Sequence, residues 1–255
     1  MDATVIADKF AQYFSNTYTC NNPARAEALK QEFHSKREKY CGLPVLNDLP
    51  FDTELVSTVV LNLKRGKAPD VYGLMAEHLL FCHPIVSVIL SKFFRLLMIT
   101  RYVPRGFKRN YIVRIPKLKD FRSKALTCDD FRGIAISPVL SKVFEYCFLE
   151  RYQSLLTSSE NQFGFKKGLG CSNAIHMLRN IVDGYIKNGS TVNLCAIDIS
   201  KAFDKVNHYA LLIKLMKRNF LAQLLDLIMN LFSGCFSCIK WYTVYSATFS
   251  IDFGM

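Results

Sequence analysis

The sequence predicts an α+β fold in which helices pack on a small antiparallel sheet. Half of the 255 residues are hydrophobic, which allows a sizeable core and argues against a disordered chain. Apolar residues recur at helical spacing in several long segments. Two short runs bounded by turn residues, NYIVRIP (110–116) and RGIAISP (132–138), predict strands because they are rich in β-branched residues.

The first part of the chain predicts one helix and a linker. Residues 4–17 carry apolar side chains on one helical face. Residues 20–50 are polar, with weak helical signal in the middle and two prolines near the end, as in a linker or a loosely held arm. We therefore predict an N-terminal helix and linker over residues 1–50 and a second domain over residues 51–255.

The second domain is predicted to combine helices with short strands. The basic, polar segment 117–131 joins the two strands named above, so they predict a hairpin with a long loop. The apolar run TVNLCAI predicts a buried strand over residues 191–199, and two more short strands are predicted within 236–253. Helices with one apolar face are predicted to begin near Thr53, Pro84, Pro138, Ser172, Asn207 and Phe220.

The net charge of +12 is concentrated in one segment. Residues 101–125 hold nine Lys or Arg and one Asp, with Phe107, Tyr111 and Phe121 between them. Cations interleaved with aromatic rings suit a polyanion such as a nucleic acid, because phosphates take the charge and bases stack on the rings. A solvated basic surface without a specific ligand is the alternative.

Cysteine usage and hydropathy restrict the class of protein. The nine cysteines are irregularly spaced and no signal-peptide pattern precedes them, which favours free thiols in a reducing compartment. Cys235 and Cys238 form a CxxC pair, but no second pair of zinc ligands follows. The longest apolar run, residues 79–100, contains three polar or charged side chains and predicts a core helix rather than a membrane span.

The stretch CAIDISKAFDKVNH (195–208) places Asp198 at the end of the predicted buried strand. A buried carboxylate is costly unless a cation meets it, and Mg²⁺ binds hard oxygen ligands of this kind. Asp198 is therefore a candidate metal ligand for phosphoryl transfer, which uses several carboxylates around two ions. For the motif taken alone, an aspartate that only caps the next helix is the default interpretation.

Several motifs, in order along the chain, are similar to those of reverse transcriptases. GKAPDVYGL resembles the opening KAPGxDGI element, YVPRGFKRNYIVRIPK resembles the approach to motif 1, and DDFRGIAISPVLSKVFE resembles motif 2. NQFGFKKGLGCSNAI resembles the QxGFRxGxST element, DISKAFDKVNH resembles motif A, and SATFSIDFG resembles the lead-in to motif B. Their order over about residues 51–255 resembles the reverse transcriptase of non-LTR (LINE-type) retrotransposons.

The resemblance implies part of a right-hand polymerase, with fingers over about residues 51–188, including the basic hairpin, and the first half of the palm over about 189–255. It implies that Asp198 is the catalytic, metal-binding aspartate, and that the backbone carbonyl of Ile199 is a second ligand of Mg²⁺. Motif C, which supplies the remaining catalytic carboxylates in the family, has no counterpart in the sequence. The chain is therefore expected to be a catalytically incomplete fragment.

The resemblance also implies a nucleotide site built from motif A and the hairpin. The backbone amides of Lys201 and Ala202 are expected near the incoming triphosphate, and Phe203 is expected to be a steric gate that excludes a 2′-hydroxyl. Lys117 and Arg132 are expected to neutralise the triphosphate. A core position for Phe203, and generic surface charge for the two cations, are the alternatives.

Two further groups of residues are expected to contact the template or primer. Gln162, Phe163 and Gly164 resemble residues of the template or nucleotide pocket, although a purely structural loop suits them nearly as well. Lys119 and Arg122 belong to the basic segment and are expected to bind nucleic-acid phosphates.

Some positions depart from the family pattern. Asp70 and Tyr72 stand where Gly and Asp are usual, and Gly133 replaces the usual proline after the motif 2 arginine. Because Gly tolerates backbone angles that Asp accepts less readily, the loop around Asp70 is expected to be altered. Asp204 and His208, within and after motif A, are expected to be structural.

The motifs imply RNA-directed DNA polymerisation in the complete enzyme. The expected partners are an RNA template, a DNA primer and dNTPs, with Mg²⁺ as cofactor, no membrane, and a location in the nucleus or cytoplasm. The alternative is a non-catalytic basic nucleic-acid-binding remnant or domesticated module, which the absence of motif C favours. A viral RNA-dependent RNA polymerase also has a motif A aspartate, but Phe203 at the gate position disfavours it.

Overall fold

The structure, a computed structural model, describes residues 2–43, 51–117, 126–156 and 158–254. These residues form an α+β fold, as predicted. They divide into two compact units, the first made of residues 1–152 and 201–255 and the second of residues 153–200. No helix in the described ranges is both long and apolar enough to cross a lipid bilayer.

Two helices begin the first unit. α1 (Ala3–Thr17) is capped by the side chain of Asp2 and buries an apolar face, as predicted. α2 (Pro23–Glu38), capped by Asn22, lies where the sequence predicted a linker or a loosely held arm. The helical signal of α2 was weak because its surface is polar nearly all round, and Phe33 is its buried side chain.

The last two helices are α8 (His208–Lys217) and α9 (Ala222–Phe232), and a charged cluster attaches α2 to α9. Arg37 donates hydrogen bonds to both carboxylate oxygens of Asp226 in α9, at 2.8 to 2.9 Å. Arg101 donates to the same carboxylate at 3.1 Å. Bidentate pairing fixes the geometry of the two groups, so α2 is a packed element of the first unit.

The helices between α2 and α8 in this unit are α3 (Thr53–Leu61), α4 (Ala76–Leu80), α5 (Ile85–Thr100) and α6 (Val139–Tyr152). The ring centroids of Phe51, Phe94 and Phe144 lie 5.3 to 6.3 Å apart, and all three rings are buried. Aromatic rings at this separation contribute packing energy beyond their buried area. Phe94 of α5 and Phe144 of α6, two predicted helices, thus meet Phe51, just before α3, in an aromatic core.

The loop that departs from the family pattern is closed by Asp70. The buried carboxylate of Asp70 accepts the N–H groups of Tyr72 and Leu74 in the loop and of Val139 at the start of α6, at 2.8 to 2.9 Å. The partial positive charge of a helix N-terminus compensates a buried carboxylate. Glycine has no side chain to make these bonds, so Asp70 links the altered loop to α6.

The strands form a mixed sheet of β1 (Arg109–Pro116), β2 (Phe131–Ile136), β3 (Cys235–Trp241), β4 (Val244–Tyr245) and β5 (Phe249–Ile251). β1 and β2 form the predicted antiparallel hairpin. β1 runs parallel to β3, so the prediction of an antiparallel sheet is wrong for this pair. Parallel strands need a long connection, and here residues 117–234 separate β1 from β3. β4 and β5 each pair antiparallel with β3.

α1 covers one face of this sheet. Phe10 and Phe14 pack in one hydrophobic cluster with Ile112 of β1 and Ile239 of β3. At Gly133 of β2, a Cβ atom would lie 2.7 Å from a ring carbon of Phe14. The absence of a side chain at Gly133 therefore leaves room for α1, which accounts for this departure from the family pattern.

The second unit contains α7 (Cys171–Lys187) and irregular segments. Apolar side chains of α7, including Ile175 and Leu178, are exposed. The prediction of a buried strand over residues 191–199 is wrong, because these residues have no regular secondary structure and are mostly exposed. Their apolar composition suits a strand, but the described part of this unit offers no other strand with which to pair.

Replacing Gly133 with Ala is expected to destabilise the protein by about 1–3 kcal/mol, because the new methyl group overlaps Phe14 in a packed core. Chemical denaturation of the variant and the wild type measures the difference. Gly184→Ala in α7 is a matched control, since a Cβ atom there meets nothing within 4 Å and Ala favours a helix. An unchanged midpoint for G133A would contradict the described packing of α1 on β2.

Candidate functional site

The turn formed by residues 201–205 is attached to α1. Lys201 adopts the left-handed backbone conformation, with a φ of 53°. Its ammonium group donates to the hydroxyls of Tyr13 at 3.1 Å and Thr17 at 3.3 Å, and lies 4.8 Å from the centre of the Tyr13 ring. The side chain of Lys201 therefore anchors the turn to α1.

Tyr13 also reaches the basic hairpin. Its hydroxyl donates to the carboxylate of Asp129 at 2.6 Å. The ammonium group of Lys117 donates to the backbone carbonyl of Asp129, and the Lys117 N–H donates to the carbonyl of Asp130 at 2.8 Å. Partial burial and the hydrogen bond to Asp129 raise the pKa of Tyr13, so the hydroxyl keeps the proton that it donates.

These contacts form a chain from Lys117 through Asp129 and Tyr13 to Lys201, here called the Tyr13 bridge. The bridge joins two lysines that the sequence motifs assigned to one nucleotide site. Sequence reasoning missed Tyr13 and Asp129 as members of the site. The sequence did contain one signal for Tyr13, because its hydroxyl lies on a helical face that is otherwise apolar.

The other predicted members of the nucleotide site also belong to the first unit. Arg132 is exposed on β2, opposite Ile115 in the hairpin. Ala202 and Phe203 follow Lys201 in the turn. Phe203 is 53% exposed, so it is not part of the buried core.

The predicted metal ligands and the predicted template residues 162–164 belong to the second unit. Asp198 and Ile199 lie in the exposed segment without regular secondary structure, so the premise that Asp198 closes a buried strand is wrong. Gln162, Phe163 and Gly164 lie in a loop, where the Gln162 amide donates to the carbonyl of Gly164 at 3.1 Å. This bond shows a local structural role for Gln162.

Within the described ranges, no three His, Cys, Asp or Glu side chains cluster as ligands. A two-ion centre needs several carboxylates, so Asp198 alone does not fit one. Lys119 and Arg122, which were predicted to bind template or primer phosphates, lie outside the described residues.

Asp204 and His208 make contacts within the fold. The His208 ring bonds the backbone carbonyl of Gly254 at 2.6 Å and stacks on Phe232, with the ring centroids 4.7 Å apart. Partial burial raises the pKa of the Asp204 carboxyl. Burial, with a smaller contribution from Asp204, raises the pKa of Tyr18 to about 12. These surroundings support the structural roles that the sequence predicted.

Replacing Asp204 with Asn is expected to stabilise the protein at neutral pH. Burial raises the folded-state pKa of Asp204 despite the opposing effect of Lys201 and Lys205, so ionisation of this carboxyl opposes folding. The protonated carboxyl contributes fully to the free energy of unfolding below the unfolded-state pKa of about 3.9. This contribution is lost as the pH rises through the folded-state pKa. The gain in Tm of D204N over wild type should therefore shrink as the pH is lowered. A gain that does not depend on pH, or a loss at neutral pH, would contradict this.

The chain is similar over most of its length to polymerases of Drosophila mobile elements. It is 25% identical over 213 residues, 81% of this chain, to the probable RNA-directed DNA polymerase from transposon X-element of Drosophila melanogaster. It is 29% identical over 194 residues, 72% of this chain, to the RNA-directed DNA polymerase from mobile element jockey of Drosophila funebris. The chain spans 23% and 20% of the length of these two relatives.

No family model matches the chain. A third relative, the RNA-directed DNA polymerase from mobile element jockey of Drosophila melanogaster, is 27% identical over 84% of the chain. The relatives carry in their names the activity that the ordered motifs implied. They confirm that this chain resembles the reverse transcriptase of a non-LTR, LINE-type retrotransposon.

Proposed function

We propose that the chain forms the fingers and the first half of the palm of a mobile-element reverse transcriptase. Relatives named as RNA-directed DNA polymerases match 72% to 84% of the chain. In this proposal, about residues 51–188 belong to the fingers and about 189–255 to the palm. Helices packed on a small mixed sheet are compatible with that assignment.

The Tyr13 bridge is the observation that carries the proposed nucleotide site. Lys117 and Lys201 lie far apart in the sequence, and their motifs alone assigned both to the incoming triphosphate. The bridge joins their segments through Asp129 and Tyr13. A triphosphate site requires donors from several segments held in one place before the ligand arrives, which is what such a bridge provides.

The members of this site have different proposed roles. The side chain of Lys201 is used as an anchor. The backbone N–H groups of Lys201 and Ala202 are therefore the groups proposed to face the phosphates. Arg132 offers a planar fork to a phosphate, whereas Lys117 supplies a point charge. Donors fixed in advance lower the barrier for attack of a primer 3′-oxygen on the α-phosphate of a dNTP.

Phe203 is proposed to select deoxyribonucleotides. Its side chain is 53% exposed and directly follows the two N–H groups assigned to the phosphates. An aromatic ring against C2′ of the sugar leaves no room for a hydroxyl, so a ribonucleotide is excluded by steric overlap.

Asp198 and the carbonyl of Ile199 are proposed ligands of Mg²⁺ in a complete polymerase. Bound Mg²⁺ neutralises phosphate charge and polarises phosphate oxygens. The described residues supply too few clustered carboxylates for such a centre, so polymerisation requires ligands from outside them. Residues 162–164, with Lys119 and Arg122, are the proposed contacts with the template or primer.

A non-catalytic nucleic-acid-binding module is the second candidate function. Residues 101–125 carry nine Lys or Arg against one Asp, and no three His, Cys, Asp or Glu side chains cluster among the described residues. A module of this kind binds RNA through its phosphates and performs no chemistry. It differs from the first proposal in one measurable respect, the incorporation of dNTPs.

A chimeric polymerase tests the catalytic proposal. Residues 51–255 replace the segment that they match in the jockey polymerase of Drosophila funebris, and dNTP incorporation is measured on an RNA template with a DNA primer. We expect activity in the chimera and a loss of about 100-fold or more with Asp198→Asn, because that variant removes charge stabilisation of the transition state. Phe203→Ala is expected to admit ribonucleotides. Asp183→Asn, at an exposed carboxylate of α7, is the matched control and should leave activity unchanged.

The outcomes separate the two candidate functions. Equal activity of the chimera with and without Asp198→Asn would refute the role assigned to this carboxylate. An inactive chimera, together with RNA binding by the chain that weakens as salt rises, would favour the binding module. RNA binding that is insensitive to charge reversal at Lys117, Lys119 and Arg122 would count against both.

A further inference from the structure

We propose that the hairpin formed by β3 and β4 carries a stacking platform for single-stranded nucleic acid. The platform consists of two exposed rings of this hairpin. The ring of Tyr245 has the ammonium group of Lys240 beside it, and the ring of Tyr242, in the loop, packs on Trp241. The class of ligand, nucleic acid, follows from the proposed function. Its residues lie outside every motif that carried the resemblance to reverse transcriptases.

Tyr242 combines an unfavourable backbone conformation with an exposed ring. It begins the two-residue loop between Trp241 and Val244, and its φ is 51°. Bulky side chains rarely adopt the left-handed region, where Gly and Asn are preferred. The side chain is 79% exposed, so burial does not compensate this cost. The ring packs edge-to-face on Trp241, with 5.7 Å between the centroids, and its remaining surface is open to a ligand.

The strands beneath the tip hold the platform in place. The Lys240 ammonium lies 5.0 Å from the centre of the Tyr111 ring and 5.4 Å from that of Tyr245. The guanidinium of Arg114 stacks on the ring of Trp241 and donates to the backbone carbonyl of Lys240 at 3.0 Å. Rings that are already fixed lose little conformational entropy when a base stacks on them.

The charges of the sheet favour a polyanion as the occupant. Among the described residues, the strands contain no Asp or Glu, and their charged residues are Arg109, Arg114, Arg132 and Lys240. Asp8 of α1 reaches the end of the hairpin, where its carboxylate accepts the N–H of Ala247 at 3.1 Å. Exposed tyrosines beside cations, on strands that lack acidic groups, suit stacked bases and their phosphates.

Unpaired bases fit this platform better than a duplex does. Stacking requires an open base face, which a duplex offers only at its ends. The platform presents rings and an ammonium group, and every base has a face that can stack. Binding is therefore expected for single-stranded RNA and single-stranded DNA, with little preference for sequence.

Fluorescence anisotropy of the full chain tests the platform with labelled oligonucleotides. The probes are single-stranded RNA and single-stranded DNA of about 12 nucleotides, and a duplex of the same length. The double variant Tyr242→Asn, Tyr245→Ala is expected to weaken single-strand binding about 10-fold and duplex binding less than about 2-fold. Tyr242→Phe with Tyr245→Phe keeps both rings and is expected to keep wild-type affinity. Tyr146→Ala, at an exposed tyrosine of α6, is the matched control and should change neither.

Thermal unfolding distinguishes a binding role from a structural one. Tyr242→Asn alone is expected to raise Tm, because Asn tolerates the left-handed conformation better, and to weaken single-strand binding. A fall in Tm with unchanged binding would identify Tyr242 as a structural residue and overturn the proposal. Single-strand affinity that survives the double variant, or equal losses for single strand and duplex, would overturn the platform and leave the proposed function standing. A wild-type chain that binds no nucleic acid would overturn both.

Discussion

The packing of α1 against the β-sheet is the interaction on which the arrangement of the first unit depends. Each large apolar side chain buried in this way stabilises the fold by about 1.5–3 kcal/mol, and Phe10 and Phe14 contact strands from distant parts of the chain. Because Tyr13 and Thr17 lie one turn apart, the same helix presents two hydroxyls to Lys201. One helix therefore aligns the hairpin with the turn formed by residues 201–205.

Local patterns predicted much of this fold. Apolar spacing predicted α1 and the helices of the aromatic core, and β-branched runs predicted β1 and β2, because each pattern is decided by neighbours within the element. The departures at Asp70 and Gly133 were visible in the sequence, but their meaning was not. Asp70 bonds the N-terminus of α6 and Gly133 lies beneath Phe14, and both explanations require knowledge of what packs there.

Local sequence patterns could not predict contacts between distant segments of the chain. Two such contacts are the pairing of β1 with β3 and the attachment of α2 through Arg37 and Asp226. Both depend on which distant segments come together in the fold, and the spacing of apolar residues does not encode this. The apolar run at residues 191–199 resembled a strand because composition alone does not supply a partner. The Tyr13 bridge was missed for the same reason, since its members come from three separate segments.

Hydrogen exchange measured by mass spectrometry tests most directly whether α1 holds together the hairpin and the turn formed by residues 201–205. The variant Tyr13→Phe, Thr17→Val removes both hydroxyls that contact Lys201 and retains the apolar packing of α1. If the bridge orders these segments, exchange should rise in residues 126–132 and 201–206 and stay unchanged in α6 and α9. Unchanged exchange in both segments, or an equal rise throughout the first unit, would contradict the account.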